Sequence, residues 1–382
     1  MSKTIFLSAG EISGDMHASA LVKEMKKIDP SLNFAGTGGK YMASAGVKLI
    51  TEENTIFSAI GLTDSIKFLK YHQRFFKSTL KYIKNNKIDA VILVDHQGIN
   101  IPLSKFCKKL GIPTFYYFPP HVSIWGMWNA PKLAKNVKAF FTPFYEDYAV
   151  YKKYTKNVYY FGHPLTELIS SFKIDKNFYE KMQIKDNKKI IGIFPGSRYQ
   201  EIENLIFPML KSIKLISKEF NTDFILSISH PAYKSIIQNA IEKEKLEGIV
   251  KTVENESYSI MTISDLIIAA SGTTTLEATL FEKPVIICYR ISPLSFFIGK
   301  FLVKKKMIGM PNIILDEKVF PELLQDECNP QRIFTEAKRF LEMNEDEKKK
   351  YHNYYKEIKK KLGSPPVIEK IANKIIEEIA NG

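Results

Sequence analysis

Short, continuous apolar runs alternate with longer stretches of helical periodicity along most of the chain. TIFLS (4–8) reads as a buried strand and MHASALVKEMKK (16–27) as a helix, followed by a strand and glycine turn in NFAGTGG (33–39). Residues 64–84 read as a helix and DAVILVD (89–95) as a second wholly apolar strand. TFYYF (114–118), KAFFTPF (138–144) and VYYFG (158–162) continue the series, with helical segments between most of them. A strand that is apolar along its whole length is buried on both faces, as in a parallel sheet covered by helices above and below. The alternation weakens over 163–188, which closes on a polar stretch, and restarts with IIGIFPG (190–196). DFILSIS (223–229), GIVKTV (248–253), DLIIAAS (265–271) and PVIICY (284–289) follow, and residues 330–381 read as helices without strands.

Two alternating blocks predict an α/β chain with two doubly wound, Rossmann-like domains facing a cleft, and a helical C-terminal tail. The expected boundaries are 1–168, 169–355 and 356–382, with a tail that can return to the N-terminal domain. In open sheets of this kind ligands bind beyond the carboxyl ends of the strands, so the candidate chemistry is sought there.

Composition narrows the picture modestly. A chain of 382 residues is too long for one typical core. The formal charge of +14 suits a polyanion, an anionic membrane surface or a phosphorylated substrate, without choosing among them. Cys107, Cys288 and Cys328 are scattered and form no CxxC, which predicts a reducing compartment and no disulfide framework. The apolar part of the N-terminus is too short for a signal peptide, and no apolar run reaches the roughly 18–20 residues of a spanning helix. The expectation is a soluble chain that can sit on a membrane.

Arginine is rare here: it occurs at 74, 198, 290, 332 and 339, while lysine fills the other basic positions. Arg198 sits in GIFPGSRYQEIENL (192–205), where an apolar run turns at Pro195-Gly196-Ser197 and a helix begins. A strand, a glycine turn and a helix N-terminus make an anion site, and a guanidinium adds a planar, bidentate fork. LIIAASGTTTLEATLFEKPVIICYR (266–290) repeats the arrangement with Ser271, Gly272, Thr273 and Thr274, and then Glu277 one turn into a helix. Such a carboxylate can accept two ribose hydroxyls, or it can simply be an acid favoured by the helix dipole. The pairing of the two turns in one half favours a nucleotide.

In the first half, LVDHQGIN (93–100) ends an apolar strand on Asp95, which can act as a general base toward a hydroxyl or cap a helix. His96 beside it titrates near neutrality when unperturbed. SAGEISGD (8–15) presents Glu11 and Ser13 after the first strand but lacks GxGxxG spacing. GTGG (36–39) lacks the lysine and hydroxyl of a Walker loop, and the seven histidines show no HExxH, so neither an ATPase nor a metal or cofactor site is expected. Two apolar-basic stretches, 60–84 with Ile66, Phe68, Leu69 and Phe76 and 292–306 with Phe296 and Phe297, are either core-facing helices or interfacial patches for anionic lipid.

AGEISGD, GHPLTE, GSRYQEIENL, ASGTTTLEATLFEKPVIICYRISPLSFFIGKFLV and MPNIILDEKVFPELLQDECNP, in order and spacing, resemble lipid-A-disaccharide synthases along almost the whole chain. The resemblance implies a GT-B fold and an inverting, metal-independent glycosyltransferase on the cytoplasmic face of the inner membrane of a Gram-negative bacterium. It implies UDP-2,3-diacylglucosamine and 2,3-diacylglucosamine 1-phosphate as substrates, a β-1′,6 bond formed, and UDP released. An anionic membrane surface is the implied partner, no nucleic acid is, and a homodimer is compatible. By motif, Arg198 meets the diphosphate and Glu277 the ribose, while Ser197 and Ser271 to Thr274, with Asn312 and Gln325, belong to the UDP site. Glu11, Ser13 and Asn100 face the cleft, and Asp95 is the base. The chain departs from the family's Asp-Ala-Pro-Asp-Phe-Asn at Gly98, where the second Asp would stand. A UDP-N-acetylglucosamine 2-epimerase on the same fold, and a non-catalytic basic binder of lipid or nucleic acid, are the competing readings.

Overall fold

The computed structural model describes residues 2–50, 65–124, 126–184, 188–291 and 307–381, the side chains of 65–72 excepted. The chain forms two compact units, Met1–Glu167 with Leu362–Gly382, and Leu168–Lys361.

Unit 1 contains strands β1 (Thr4–Ala9), β2 (Asn33–Thr37), β3 (Lys48–Leu49), β4 (Ala90–Val94), β5 (Thr114–Tyr117), β6 (Ala139–Phe141) and β7 (Val158–Tyr159). They form one sheet in the order β3-β2-β1-β4-β5-β6-β7, with every pair parallel. Ile5, Phe6 and Leu7 of β1 and Val91, Ile92 and Leu93 of β4 are fully buried, which is why their sequences are apolar without alternation. Each such side chain contributes about 1.5–3 kcal/mol by leaving water. Sequence order reverses between β1 and β4, whose ends lie level, with Ala9 opposite Val94. Loops leaving these two strands diverge, and the opening between them is the position where doubly wound sheets bind ligands.

The chain re-enters unit 1 at Leu362, whose carbonyl accepts a hydrogen bond from His163 N (2.7 Å). The last helix, Ile368–Ala380, is held at both ends. Glu167 Oε2 accepts from Val367 N (2.7 Å) and Ile368 N (2.9 Å), an acid at the positive end of the helix dipole. Lys3 and Lys138 donate to the carbonyls of Ile379 (2.8 Å) and Glu378 (2.6 Å) at the negative end.

Unit 2 contains β8 (Lys189–Phe194), β9 (Thr222–Ile228), β10 (Val250–Glu254), β11 (Leu266–Ala270), β12 (Val285–Tyr289) and β13 (Glu322–Leu324), all parallel in the order β10-β9-β8-β11-β12-β13. Here the order reverses between β8 and β11. The helix Tyr199–Glu219 buries Ile202, Leu205, Ile206, Met209, Ile213 and Ile216, spaced three and four apart as one helical face requires. The helices Pro330–Leu341, Glu345–Leu362 and Ile368–Ala380 make up the strand-free C-terminal region that the sequence predicts. Strands β3 and β13, of two and three residues, do not follow from the sequence pattern, because neither lies in a continuous apolar run.

Candidate functional site

In unit 1, Glu11 follows β1 and Asp95 follows β4, so both sit where the strand order reverses. Glu11 has extended backbone and precedes the helix Ile12–Ile28. Asp95 and His96 both adopt left-handed backbone (φ 51° and 42°) before the helix Gln97–Lys109, a conformation uncommon for non-glycine residues. Asn100 sustains it. Its Nδ2 donates to the carbonyls of Asp95 (2.7 Å), Val94 (3.1 Å) and Ser8 (3.3 Å), and its Oδ1 accepts from Ser8 Oγ (2.7 Å). Asn100 is wholly buried and fully bonded, so it ties β1 to β4 from beneath and offers nothing to a ligand, contrary to the cleft-facing role expected of it. Tyr116 Oη also donates to the Asp95 carbonyl (3.0 Å).

The Asp95 carboxyl is half-buried, and its pKa is raised, first by burial and then by the charge of Glu11. A carboxylate so placed is a stronger base than one in water. The His96 ring occupies the space a Cβ on Gly10 would need, 2.5 Å away, so Gly10 is required for close approach and His96 packs against the β1 turn. Gly98 is exposed in the first turn of its helix, and a Cβ there would meet only the His96 ring at 3.7 Å. The departure at Gly98 is therefore not forced by space. Ser13 is half-buried in the first turn after Glu11. Asp15, which the sequence reading passed over, is buried and accepts from Gly39 N (2.8 Å), Tyr41 N (3.0 Å) and Met42 N (3.1 Å). It caps the short helix Lys40–Ser44 and so fixes the GTGG turn.

The same edge of unit 1 carries three further histidines. His17 stacks on Phe118 (4.2 Å between ring centres) and His163 meets both, at 6.0 Å and 5.4 Å. Burial pushes His17 down to about 3 and His163 well below its ordinary value, so both rings are neutral. His121 differs: its Nδ1 lies 2.9 Å from Oδ2 of Asp147. Neither His121 nor Asp147 belongs to a local motif, and sequence reasoning missed them.

In unit 2, β8 and β11 pair with Phe194 opposite Ala269, so the turns 195–198 and 271–274 leave side by side. Arg198 is exposed, and its Nη1 lies 3.3 Å from Glu201 Oε1. Glu201 folds back over its own helix N-terminus, where Oε2 accepts from Ser197 N (2.9 Å) and Arg198 N (3.3 Å). These amides and the guanidinium thus gather around a carboxylate in a capping box, an arrangement of donors that also suits an external anion. Gly272 has φ 154° and precedes the helix Thr273–Leu280; Thr273 and Thr274 are half-buried in its first turn. Ser271 Oγ donates to the Ile308 carbonyl (3.0 Å), anchoring the start of this turn.

Glu277 is 8% exposed, and Tyr258 Oη donates to its Oε1 at 3.2 Å. Tyr258 is itself set edge-on to Phe172 (5.4 Å) and Phe281 (5.3 Å). Burial raises the Glu277 pKa to about 7, against the smaller opposing effect of the Tyr258 hydroxyl.

Two residues expected near the nucleotide serve the backbone. Asn312 is wholly buried; its Nδ2 donates to Phe320 O (2.8 Å) and Glu322 Oε1 (2.9 Å), and its Oδ1 accepts from Val319 N (3.1 Å) and Phe320 N (2.9 Å). Gln325 clamps both backbone groups of Ile291, at 2.9 Å and 2.8 Å. Of the expected interfacial residues, Phe76 is half-buried against the core around Phe75 and Ile99. The side chains of Ile66, Phe68 and Leu69, and the residues Phe296 and Phe297, lie outside the described residues. Among the described residues no helix is long and apolar enough to cross a membrane, and no three His, Cys, Asp or Glu could hold a metal ion.

The sequence profile described as lipid-A-disaccharide synthetase matches residues 5–378. The chain belongs to the lipid-A-disaccharide synthase family. Members include the lipid-A-disaccharide synthases of Sulfurihydrogenibium sp. (strain YO3AOP1), 36% identical over 98% of this chain and 97% of that one, and of Persephonella marina, 34% identical over 98% and 99%. Membership makes the chain a glycosyltransferase of lipid A biosynthesis. Solved structures with similar folds include a S. aureus MnaA–UDP co-structure (TM-score 0.70, 14% identity, covering 99% of this chain and 97% of that one). Another is the UDP-GlcNAc 2-epimerase from Neisseria meningitidis bound to UDP-GlcNAc (TM-score 0.66, 14% identity, covering 100% of both). At such identities the likeness is one of fold, two parallel-sheet α/β units of the GT-B class, and it does not make this chain an epimerase.

Proposed function

We propose that the enzyme transfers 2,3-diacylglucosamine from its UDP derivative to 2,3-diacylglucosamine 1-phosphate, forming the β-1′,6 bond of the lipid A disaccharide and releasing UDP. Unit 2 takes the donor. Arg198 and the amides of Ser197 and Arg198 receive the diphosphate, displacing the Glu201 carboxylate that now occupies them. Glu277 accepts the ribose hydroxyls at the second turn. Unit 1 takes the acceptor, and Asp95 accepts the proton of its 6-hydroxyl. As that O–H bond breaks, the oxygen attacks the anomeric carbon from the face opposite the diphosphate. The new C–O bond forms, the bond to the diphosphate breaks with its electron pair, and the configuration inverts. Charge develops on the leaving diphosphate, where the fixed guanidinium and amides stabilise it.

The observation that carries this reading is Asp95: a half-buried carboxyl with raised pKa, at the strand end where the sheet order reverses. Both acyl sugars reside in a bilayer, so the enzyme works as a peripheral protein on the inner face of the inner membrane, with its +14 charge drawing it to anionic lipid. The test is UDP release with and without the lipid acceptor. Asp95→Asn keeps the shape, removes the base, and is expected to slow acceptor-dependent release by about 10²–10⁴-fold. Near-normal turnover of the folded variant removes Asp95 from the mechanism. Release of UDP, or interconversion of a UDP-sugar, without acceptor would favour an epimerase.

A further inference from the structure

Five strands of unit 1 deliver titratable side chains to one edge of the sheet: Glu11 after β1, Asp95 after β4, His121 after β5, Asp147 after β6 and His163 after β7. The proposed chemistry uses Asp95 alone as its base, yet His121 and Asp147 form the most completely bonded pair of the group. Asp147 is wholly buried. Its Oδ2 lies 2.9 Å from His121 Nδ1, and its Oδ1 accepts from Ser123 N (2.9 Å) and Ser123 Oγ (2.7 Å). Burying a carboxyl is costly unless it is hydrogen-bonded, and here His121 and Ser123 supply the partners. The Asp147 bond makes Nδ1 the donor and fixes the ring, which also rests on Phe144 (4.7 Å). The His121 side chain remains 33% exposed.

We propose that His121, set in place by Asp147, is a positioning residue of the acceptor site, whose imidazolium keeps Asp95 in the carboxylate form that takes the hydroxyl proton. The inference rests on Asp95 being the base. The charges on the edge support it. Around Asp95, burial and Glu11 favour the protonated form, whereas His121, the His96 amide and the His96 ring favour the carboxylate. Around His121, burial favours the neutral ring, and Asp147, then Asp95 and Glu146, more than reverse it. His17 and His163, which share the edge, are neutral and supply no charge. His121 is therefore the histidine of this trio whose protonated form its surroundings favour.

The experiment compares pH profiles of kcat/KM for acceptor-dependent UDP release in the wild type, His121→Gln, Asp147→Asn and His121→Lys, with melts to establish folding. The acceptor phosphate titrates identically in all four. Loss of the positive charge raises the Asp95 pKa, so His121→Gln and Asp147→Asn are expected to move the acidic limb to higher pH by on the order of one unit. His121→Lys, charged throughout, should restore the limb toward the wild type. If His121 were itself the base, Asp147→Asn would lower its pKa and move the limb to lower pH, and the proposal fails. A reduced rate with an unmoved limb assigns the pair a structural role and also overturns it. Should Asp147→Asn fail to fold, the variants at the half-buried His121 decide alone. Full activity in Asp95→Asn would instead overturn the assignment of Asp95 as base.

Discussion

Neutralising Glu277 should stabilise unit 2 at alkaline pH while weakening its hold on a nucleotide. Glu277 is 8% exposed, with Tyr258 as its hydroxyl donor, and burial moves its pKa from 4.5 to about 7. A raised carboxyl pKa means that the folded state prefers the protonated form. Between pH 4.5 and 7 the unfolded chain has already released this proton and the folded chain has not. Stability from this group is therefore fully present below about pH 4.5 and is lost as pH rises through about 7. A difference of about 2.5 units at 1.36 kcal/mol each amounts to roughly 3 kcal/mol. Glu277→Gln resembles the protonated form and can still accept from Tyr258. At pH 8 it should raise Tm by roughly 6–12 °C, at about 2–4 °C per kcal/mol for a unit of this size. At pH 4 the two proteins should melt together. Calorimetric melts across pH 4–8 provide the comparison, and parallel curves with a constant gap would refute the reasoning.

The same carboxyl should couple nucleotide binding to proton release. Ribose hydroxyls donate, so they select the ionised form. At pH 6 only about one-tenth of Glu277 is ionised, and affinity should fall about tenfold from its pH 8 value. UDP-N-acetylglucosamine is the suitable probe, because its diphosphate carries no proton that titrates near neutrality. Titration calorimetry in buffers of different ionisation enthalpy should register a released proton near pH 7 in the wild type and none in Glu277→Gln.

Arg198→Lys keeps the charge but loses the fork, and should weaken UDP binding by roughly 1.5–3 kcal/mol in calorimetry; unchanged affinity would make the arginine structural. Asn312→Ala strands several buried backbone partners and should destabilise unit 2 by roughly 2–4 kcal/mol in denaturant melts. UDP affinity in the folded variant should hold, and a selective loss of affinity would restore Asn312 as a ligand contact. Sedimentation with anionic vesicles should be partly lost between 0.1 M and 1 M salt, as the Debye length falls from about 10 Å to about 3 Å; binding indifferent to salt would exclude a lysine contribution.

The paired turns of unit 2 were legible in sequence because everything that makes them is local. In GIFPGSR and IIAASGTTT an apolar strand, a glycine and a helix start follow one another within ten residues, and the parallel sheet converts each into a loop at its carboxyl edge. Asp95 was legible for the same reason. What sequence does not report is which polar side chain the fold consumes. Asn100 reaches Ser8 across 92 residues, Gln325 reaches Ile291 across 34, and Asp15 reaches Gly39 across 24. Each looked available for a ligand, or was passed over, because its backbone partner is remote in the chain.

His121 and Asp147 were missed on the same account, since 26 residues separate them and they are brought together by the adjacency of β5 and β6. Their pairing also explains why a lone histidine is a poor guide to chemistry. His17, His121 and His163 stand on one edge of one sheet, yet burial disfavours the charged form of two of them while a buried carboxylate shifts the third toward its charged form. The distinction depends on whether an anion was folded in behind the ring, and strand order decides that. Residue type identified the candidate bases in this chain; topology decides which of them can carry a charge.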